Sequence, residues 1–289
     1  MKHMTWVAGG LLLGVALGGA PRWEFQEKST VKDTYTFAPG TRDLEVAVDN
    51  IEGAIVVAGS RERSVVLIGN RWDRAESQAK LELAKEEVQL RLNRRDSSYE
   101  AYVDAPWRCR EGRRENGQRD RGYRVRIDFE LRVPDDARVF LRTVSDGDIR
   151  VGNLAGDFDV KNINGGISMS EVSGSGRAYA LNGKVNIVFR SNPTRDSYFG
   201  SLNGDVDLFF LGNLAADLRL KTFNGEIYTD FPVTRLPAGP MTEETRGGKR
   251  VYKASKFFGV RVGAGGPEIK LEGFNGDIRI HEKVDIKER

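Results

Sequence analysis

Five aspartates have the plainest capacity for chemistry: Asp146, Asp148, Asp205, Asp207 and Asp277. Paired carboxylates of this kind act as acid, base or nucleophile in glycan-cleaving enzymes. Asp205 and Asp207 alternate with Val206 and Leu208, which puts both acids on the outer face of one strand. Acids beside Asn-Gly corners also serve as turn and solubilising residues. An enzyme would further need a groove and supporting polar and aromatic groups, and no second acidic cluster of that kind is visible. The reading is therefore non-catalytic, with no catalytic, cofactor-binding or metal-binding residue assigned.

The rare residues narrow the chemistry further. His3 and His281 are the only histidines and Cys109 the only cysteine. A structural zinc site draws mainly on His and Cys, and so lacks ligands here. A Ser-His or Cys-His pair would have to use His281, which reads as a solvated residue after the last strand. Cys109 has no partner for an internal disulfide, so it is a free or intermolecular thiol in an exported chain. Gly174-Ser175-Gly176 and Gly263-Ala264-Gly265-Gly266 do not complete a calcium-binding nonapeptide.

The charge is nearly balanced, 45 basic against 42 acidic residues, which argues against a nucleic-acid partner. One stretch is locally basic: Arg108, Arg110, Arg113, Arg114, Arg119 and Arg121 stand among only Glu111, Glu115 and Asp120. Two readings stand for it. One is an anion contact to an acidic glycan, a phospholipid headgroup or nucleic acid; the other is a solvated loop between two strands.

The elements that would position these residues show in the glycines. Glycine accounts for 33 of 289 residues, above the usual ~7%, without a matching rise in proline. Much of it falls in a repeat of the form apolar, Asn, Gly, any, apolar, any, apolar. The repeat centres on Asn164-Gly165, Asn182-Gly183, Asn203-Gly204, Asn224-Gly225 and Asn275-Gly276, with Ile51-Glu52-Gly53 and Ser145-Asp146-Gly147 as variants. Asn-Gly is a strong turn signal because both residues tolerate positive φ. The alternation that follows is that of a half-buried strand. Gly147, Gly156, Gly165, Gly174 and Gly183 are nine residues apart, and Gly183, Gly204 and Gly225 are 21 apart. Two strands with their corners then make a coil of about 18–21 residues, the range of a stacked β-solenoid.

Around this repeat, residues 1–20 have the basic start, apolar run (Trp6 to Leu17) and small residues of a signal peptide or N-terminal anchor. Residues 21–41 form a lead-in. The domain proper spans 42–281, with a polar arginine-rich insert at 93–122 and a loop at 232–256, and 282–289 form a charged tail. Leu44 to Val48, Ile55 to Ile68, Val88 to Leu92 and Arg124 to Val133 read as strands. Arg74 to Lys85 reads as one short helix placed to cap an end of the stack.

The residues Ile51-Glu52-Gly53-Ala54-Ile55, Val133-Pro134, Gly147-Asp148-Ile149, Asn164-Gly165-Gly166-Ile167 and Leu181-Asn182-Gly183-Lys184-Val185 resemble the adhesin-like domain-of-unknown-function family of bacterial envelope proteins. The resemblance covers residues 42 to 281. It implies an all-β fold, a right-handed β-helix-like solenoid, in an exported or membrane-tethered protein, and it brings no catalytic residues. The expectation is an exported scaffold of the periplasm, envelope or cell exterior, soluble apart from any N-terminal anchor. Its expected partners are an envelope protein, a glycan or further copies of itself, and no cofactor is expected. The alternative is a carbohydrate-active β-helix enzyme that uses the surface carboxylates.

Overall fold

The computed structural model describes residues 7–9, 23–108, 121–237, 242–246, 249–253 and 257–283. Most of the predicted N-terminal signal, Cys109, Arg110, Arg113, Arg114, Arg119 and most of the charged tail lie outside the described residues. The protein is all-β apart from one short helix. It divides into two compact units, residues 1–150 and 151–289.

The first unit contains β1 (Val7–Gly9), β2 (Phe25–Thr36), β3 (Glu45–Asp49), β4 (Ile55–Ser60) and β5 (Ser64–Ala75). After them come α1 (Gln78–Glu87), β6 (Gln89–Arg95), β7 (Ser98–Asp104), β8 (Tyr123–Pro134) and β9 (Arg138–Thr143), and β10 (Ile149–Gly152) crosses the division. The strands form two mixed sheets. One runs β1-β2-β5-β8-β4, antiparallel up to β8 and parallel between β8 and β4. The other runs β9-β3-β7-β6, parallel except at β6. The lead-in is therefore a twelve-residue strand, β2, paired along its whole length with β5. The insert begins as strand, since the end of β6 and all of β7 fall inside it.

The helix starts later than the composition of Arg74 to Lys85 predicts. Arg74 and Ala75 belong to β5, where pairing with both β2 and β8 continues to Ala75. Two flanking strands outweigh helix propensity there. Ser77 then caps the helix, its Oγ accepting from Lys80 N at 3.3 Å. Leu81 and Ala84 are fully buried, and α1 packs on β2, β5 and β8.

Arg71, 4% exposed, fastens the helix to β5. Its Nε donates to Asp73 Oδ2 at 2.8 Å, while Nη1 donates to Val88 O at 2.7 Å and Nη2 to Ala84 O at 3.0 Å. The side chain thus neutralises a buried carboxylate and satisfies two carbonyls at the helix C-terminus, where a cation is favoured.

The second unit holds β11 (Phe158–Asn164), β12 (Ile167–Val172), β13 (Gly176–Asn182), β14 (Val185–Phe189), β15 (Ser197–Asn203), β16 (Val206–Phe210), β17 (Ala216–Lys221) and β18 (Ile227–Thr229). It continues with β19 (Val233–Arg235), β20 (Thr242–Arg246), β21 (Lys249–Lys253), β22 (Phe258–Val262), β23 (Glu268–Asn275) and β24 (Ile278–Glu282). From β11 to β19 successive strands alternate between two sheets. One is β12-β14-β16-β24-β18, parallel throughout. The other is β11-β13-β15-β23-β17, also parallel, with β22 and then β19 added antiparallel beyond β17. β20 and β21 form a separate hairpin. The predicted loop at 232–256 thus carries three short strands.

The alternation in the repeat reads directly as register. Val185 pairs with Ile167 and Val206, and Ile278 pairs with Val206 and Ile227. All except Ile227 are buried and face inward. The order departs from the expected succession of neighbours 21 residues apart. β23 and β24 insert between the β15/β16 and β17/β18 pairs, so Gly204 and Gly225 are not neighbours. The chain reaches this gap by way of β22, on the far side of β17.

Arg71→Met should destabilise the chain by about 3–5 kcal/mol, because it strands Asp73 in the core. The double variant Arg71→Met/Asp73→Leu should recover most of that loss in denaturant melts. Equal stability of the two variants would refute the role given to the ion pair.

Candidate interaction surface

The five Asn-Gly pairs of the second unit come together along one corner. Asn182 Nδ2 donates to Asn164 Oδ1 at 2.8 Å, and Asn203 Nδ2 to Asn182 Oδ1 at 2.7 Å. Asn275 Nδ2 donates to Asn203 Oδ1 at 2.7 Å, and Asn224 Nδ2 to Asn275 Oδ1 at 2.9 Å. Backbone bonds run the other way: Gly183 N donates to Asn203 O, Gly204 N to Asn275 O and Gly276 N to Asn224 O, each at 2.9 Å. The result is an exposed amide ladder with one polarity, of the kind that stacked strands favour.

The turn propensity of the pair is met at the glycine, with positive φ at Gly165, Gly204 and Gly276, while the asparagine takes a different task. The strands it joins lie in different sheets, and none of the five asparagines has positive φ. Asparagine is required for the ladder. Glycine is required because the corners stack backbone on backbone. A Cβ on Gly183 would lie 2.3 Å from Gly165 O, one on Gly204 2.4 Å from Gly183 O, and one on Gly276 2.4 Å from Gly204 O. In the first unit, Gly147 sits on Gly53 in the same way, at 2.2 Å from its carbonyl carbon. There Asn50 is buried and outside any ladder, donating to Ile127 O at 2.7 Å.

The apolar residue before each Asn-Gly faces outward. Ile163, Leu181 and Leu202 are half-buried, while Phe274 is 42% and Phe223 70% exposed. The Phe223 and Phe274 rings stack at 4.9 Å and 4°. The ladder is thus flanked by an apolar ridge ending in two exposed aromatics. The signal was present in the repeat as an apolar position out of phase with the inward ones.

Of the five aspartates singled out by sequence, the structure gathers three. Arg279 Nη1 lies 3.3 Å from both Asp205 and Asp207, and its Nη2 lies 2.5 Å from Asp277. Lys184 adds a second cation to Asp205 at 3.0 Å. Its hydrogen bond, with that of Arg279, holds Asp205 below the ordinary carboxylate range. The other two, in the first unit, pair with Arg124 (Asp146, 2.7 Å) and Arg150 (Asp148, 3.2 Å).

His281 is not a solvated residue beyond the last strand. It lies within β24, stacks on Phe209 at 4.7 Å, and brings Nδ1 to 3.2 Å from Asp230 Oδ2. Of the six arginines proposed for anion contact, Arg108 and Arg121 are described, and both turn to the protein. Arg108 Nη1 meets Asp49 at 3.0 Å over the Tyr102 ring. Arg121 meets Glu87 at 3.3 Å over Trp107.

On the other sheet of the second unit, Tyr179 and Tyr198 stack at 6.1 Å beside Glu272. Burial alone would raise Glu272, but hydrogen bonds from Lys221 and Tyr198 leave its pKa below the ordinary value of 4.5. A lowered carboxylate stabilises the fold above its unfolded pKa and ceases to as pH falls through its folded one.

Two outcomes follow. Gly183→Ala should cost about 2 kcal/mol or more in denaturant melts, because neighbouring backbone must move. Gly152→Ala, whose nearest contact would be 3.6 Å away at Ser170 Oγ, should stay within ~0.5 kcal/mol. Glu272→Gln should melt lower than the parent at pH 7, with the gap closing as pH falls below about 4.5. A gap that does not narrow at all as the pH is lowered from 7 into the acid range would contradict the assignment.

No family model matches this chain, and no curated protein is significantly similar to it. Among solved structures it is similar to one described as a "putative cell adhesion protein" from Clostridium sporogenes ATCC 15579, at 11% identity and TM-score 0.41, covering 88% of this chain and 100% of that one. A "putative adhesin" from Bacteroides fragilis NCTC 9343 follows at 9% identity and TM-score 0.36, covering 88% and 97%. A "putative lipid binding protein" from Parabacteroides distasonis ATCC 8503 aligns at 9% identity and TM-score 0.23, over the same shares.

Proposed function

We propose that this chain is an exported, non-catalytic β-solenoid that serves as an adhesin-like interaction scaffold of the cell envelope. The observation that carries the reading is the corner of the second unit. An in-register amide ladder, self-satisfied along its length, holds a row of apolar side chains outward and ends in the exposed Phe223–Phe274 pair. Strands paired in parallel at separations of 18 and 21 residues are the expected turns of such a solenoid. Solvent-facing aromatics over a rigid backbone are the usual anchors of a protein contact.

The acids support the same reading. A general acid in glycan cleavage needs a raised pKa. Asp205 is lowered, and Asp207 and Asp277 share Arg279 with it. Export rests on the N-terminal sequence, where Lys2 precedes the apolar run from Trp6 to Leu17.

Cell fractionation of the full chain, followed by rebinding to washed envelopes, tests the proposal. The chain should fractionate with the periplasm or envelope and be retained on the envelopes. Phe223→Ser/Phe274→Ser should keep its melting temperature and lose about tenfold or more in retention. A cytosolic chain, or retention unchanged by the double variant, would overturn it.

A further inference from the structure

The outer face of β5 and β8 in the first unit presents a cavity of about 310 Å³ lined by Glu52, Trp72, Arg74, Arg124, Arg126 and two aspartates, Asp128 and Asp146. Its volume reaches the lower end of the range of small-ligand sites. The register explains the crowding. Arg74 stands directly opposite Arg124, and Trp72 stands between Lys28 on β2 and Arg126 on β8. Like charges directly opposed across antiparallel strands are destabilising. A neutral residue at position 74 would remove the conflict.

The partners of these cations are unequal. Arg124 is held by Glu52 at 2.6 Å and Asp146 at 2.7 Å. Arg126 is held by Asp128 at 2.9 Å, and its Nη1 donates to the Asp146 carbonyl at 2.8 Å. Arg74 has no carboxylate within 4.0 Å among the described residues. Its guanidinium lies over the Trp72 ring, 3.3 Å from the centroid, and Lys28 Nζ lies 5.0 Å from the same ring. The buried Trp72 Nε1 has no acceptor. The wall of the cavity carries three guanidinium groups and three carboxylates, and the donors left without a carboxylate are those of Arg74 and Trp72 Nε1. Glu52, only 4% exposed, has its carboxyl raised by burial against the opposing pull of Arg124.

We infer that this cavity is an anion site for a single phosphate group, in which Arg74 is the free fork and Arg124 and Arg126 are positioned by their acids to flank it. A tetrahedral oxyanion has oxygens enough to meet guanidinium groups from several sides, and planar forks bind it bidentately. Such a group can be borne by a phosphosugar or by a lipid headgroup, and the two share the chemistry read here. The site is in the first unit and does not depend on the corner surface of the second.

The test is calorimetric titration of the full chain with inorganic phosphate, with a hexose phosphate and with glucuronate, together with cosedimentation on phosphatidylcholine vesicles with and without phosphatidic acid. Saturable binding to the phosphate-bearing probes is expected, weakened about tenfold or more in Arg74→Ala and only partly restored in Arg74→Lys. Because Arg74 holds no carboxylate, Arg74→Ala should leave the melting temperature unchanged or higher, an outcome that a structural arginine would not give. Arg177→Ala, in the second unit, should bind as the parent does. Hexose phosphate without vesicle binding assigns a phosphosugar, and the converse a lipid headgroup; either supports the site. Absence of saturable binding to every phosphate probe, equal binding of glucuronate, or affinity unchanged in Arg74→Ala would overturn it. So would a large drop in melting temperature on removal of Arg74.

Discussion

Close backbone approach at the corners is the constraint on which the rest of the second unit depends. The stacked glycines leave no room for a Cβ: one added at Gly174, Gly183, Gly204, Gly225 or Gly276 would lie only 2.0–2.4 Å from a carbonyl oxygen of the adjacent corner. With the corners that close, the strands on either side must stay in strict parallel register. Register then decides everything carried on the strands. It aligns Met169, Ile187, Leu208 and Ile280 inward, and it places Asn on Asn and Phe223 on Phe274 outward. A slip by one residue would exchange the two faces. The ladder consequently contributes less as a set of exposed hydrogen bonds, individually weak, than as a check on register.

Much of this was legible in the sequence because it is local. The alternation after Asn182-Gly183 or Asn203-Gly204 is a period-two signal that no other element mimics over that length, and the burial of Val185 and Ile187 or Val206 and Leu208 follows from it. What escaped was long-range. Nothing near Phe274-Asn275-Gly276 says that it stacks between corners 72 and 51 residues away. The repeat is the same whichever neighbour it meets, so spacing along the chain misplaces it. The role of asparagine escaped for a related reason. Turn propensity is a property of one residue pair, whereas a ladder exists only once several pairs are superposed. Helix propensity sets the start of the helix too early, because Arg74 favours a helix locally while two flanking strands claim it.

The first unit solves a different problem with different means. Its long antiparallel strands need a cover for their inner face, and α1 supplies one with only two fully buried side chains, Leu81 and Ala84. So small an apolar contact fixes a helix weakly. The polar clamp from Arg71 compensates, since its hydrogen bonds reach Val88 and Ala84 while its charge answers Asp73. Such a buried pair adds little net stability over an apolar substitute, but it admits one placement of the helix and penalises others. No sequence pattern marks Arg71 for this task, because its partners come from a helix terminus that only the fold brings near.

The two faces of β5 make the contrast that matters for function. On the inner face, a charged residue is tolerated only when every donor is answered, as at Arg71. On the outer face, Arg124 and Arg126 are answered too, by Glu52, Asp128 and Asp146. Arg74, one register step away, is left on an aromatic ring and opposite a like charge. Solvent alone would make that arrangement cheap if the position were fully exposed. It is half-buried beside a cavity, where screening is reduced and like-charge proximity costs more. The second unit shows both patterns: three aspartates gather on Arg279, whereas Arg177 rests on the Tyr198 ring, 5.2 Å from its centroid. What sets Arg74 apart is its place: a half-buried guanidinium and an indole donor without an acceptor line one cavity, and the physical remedy for such donors is an acceptor supplied from outside.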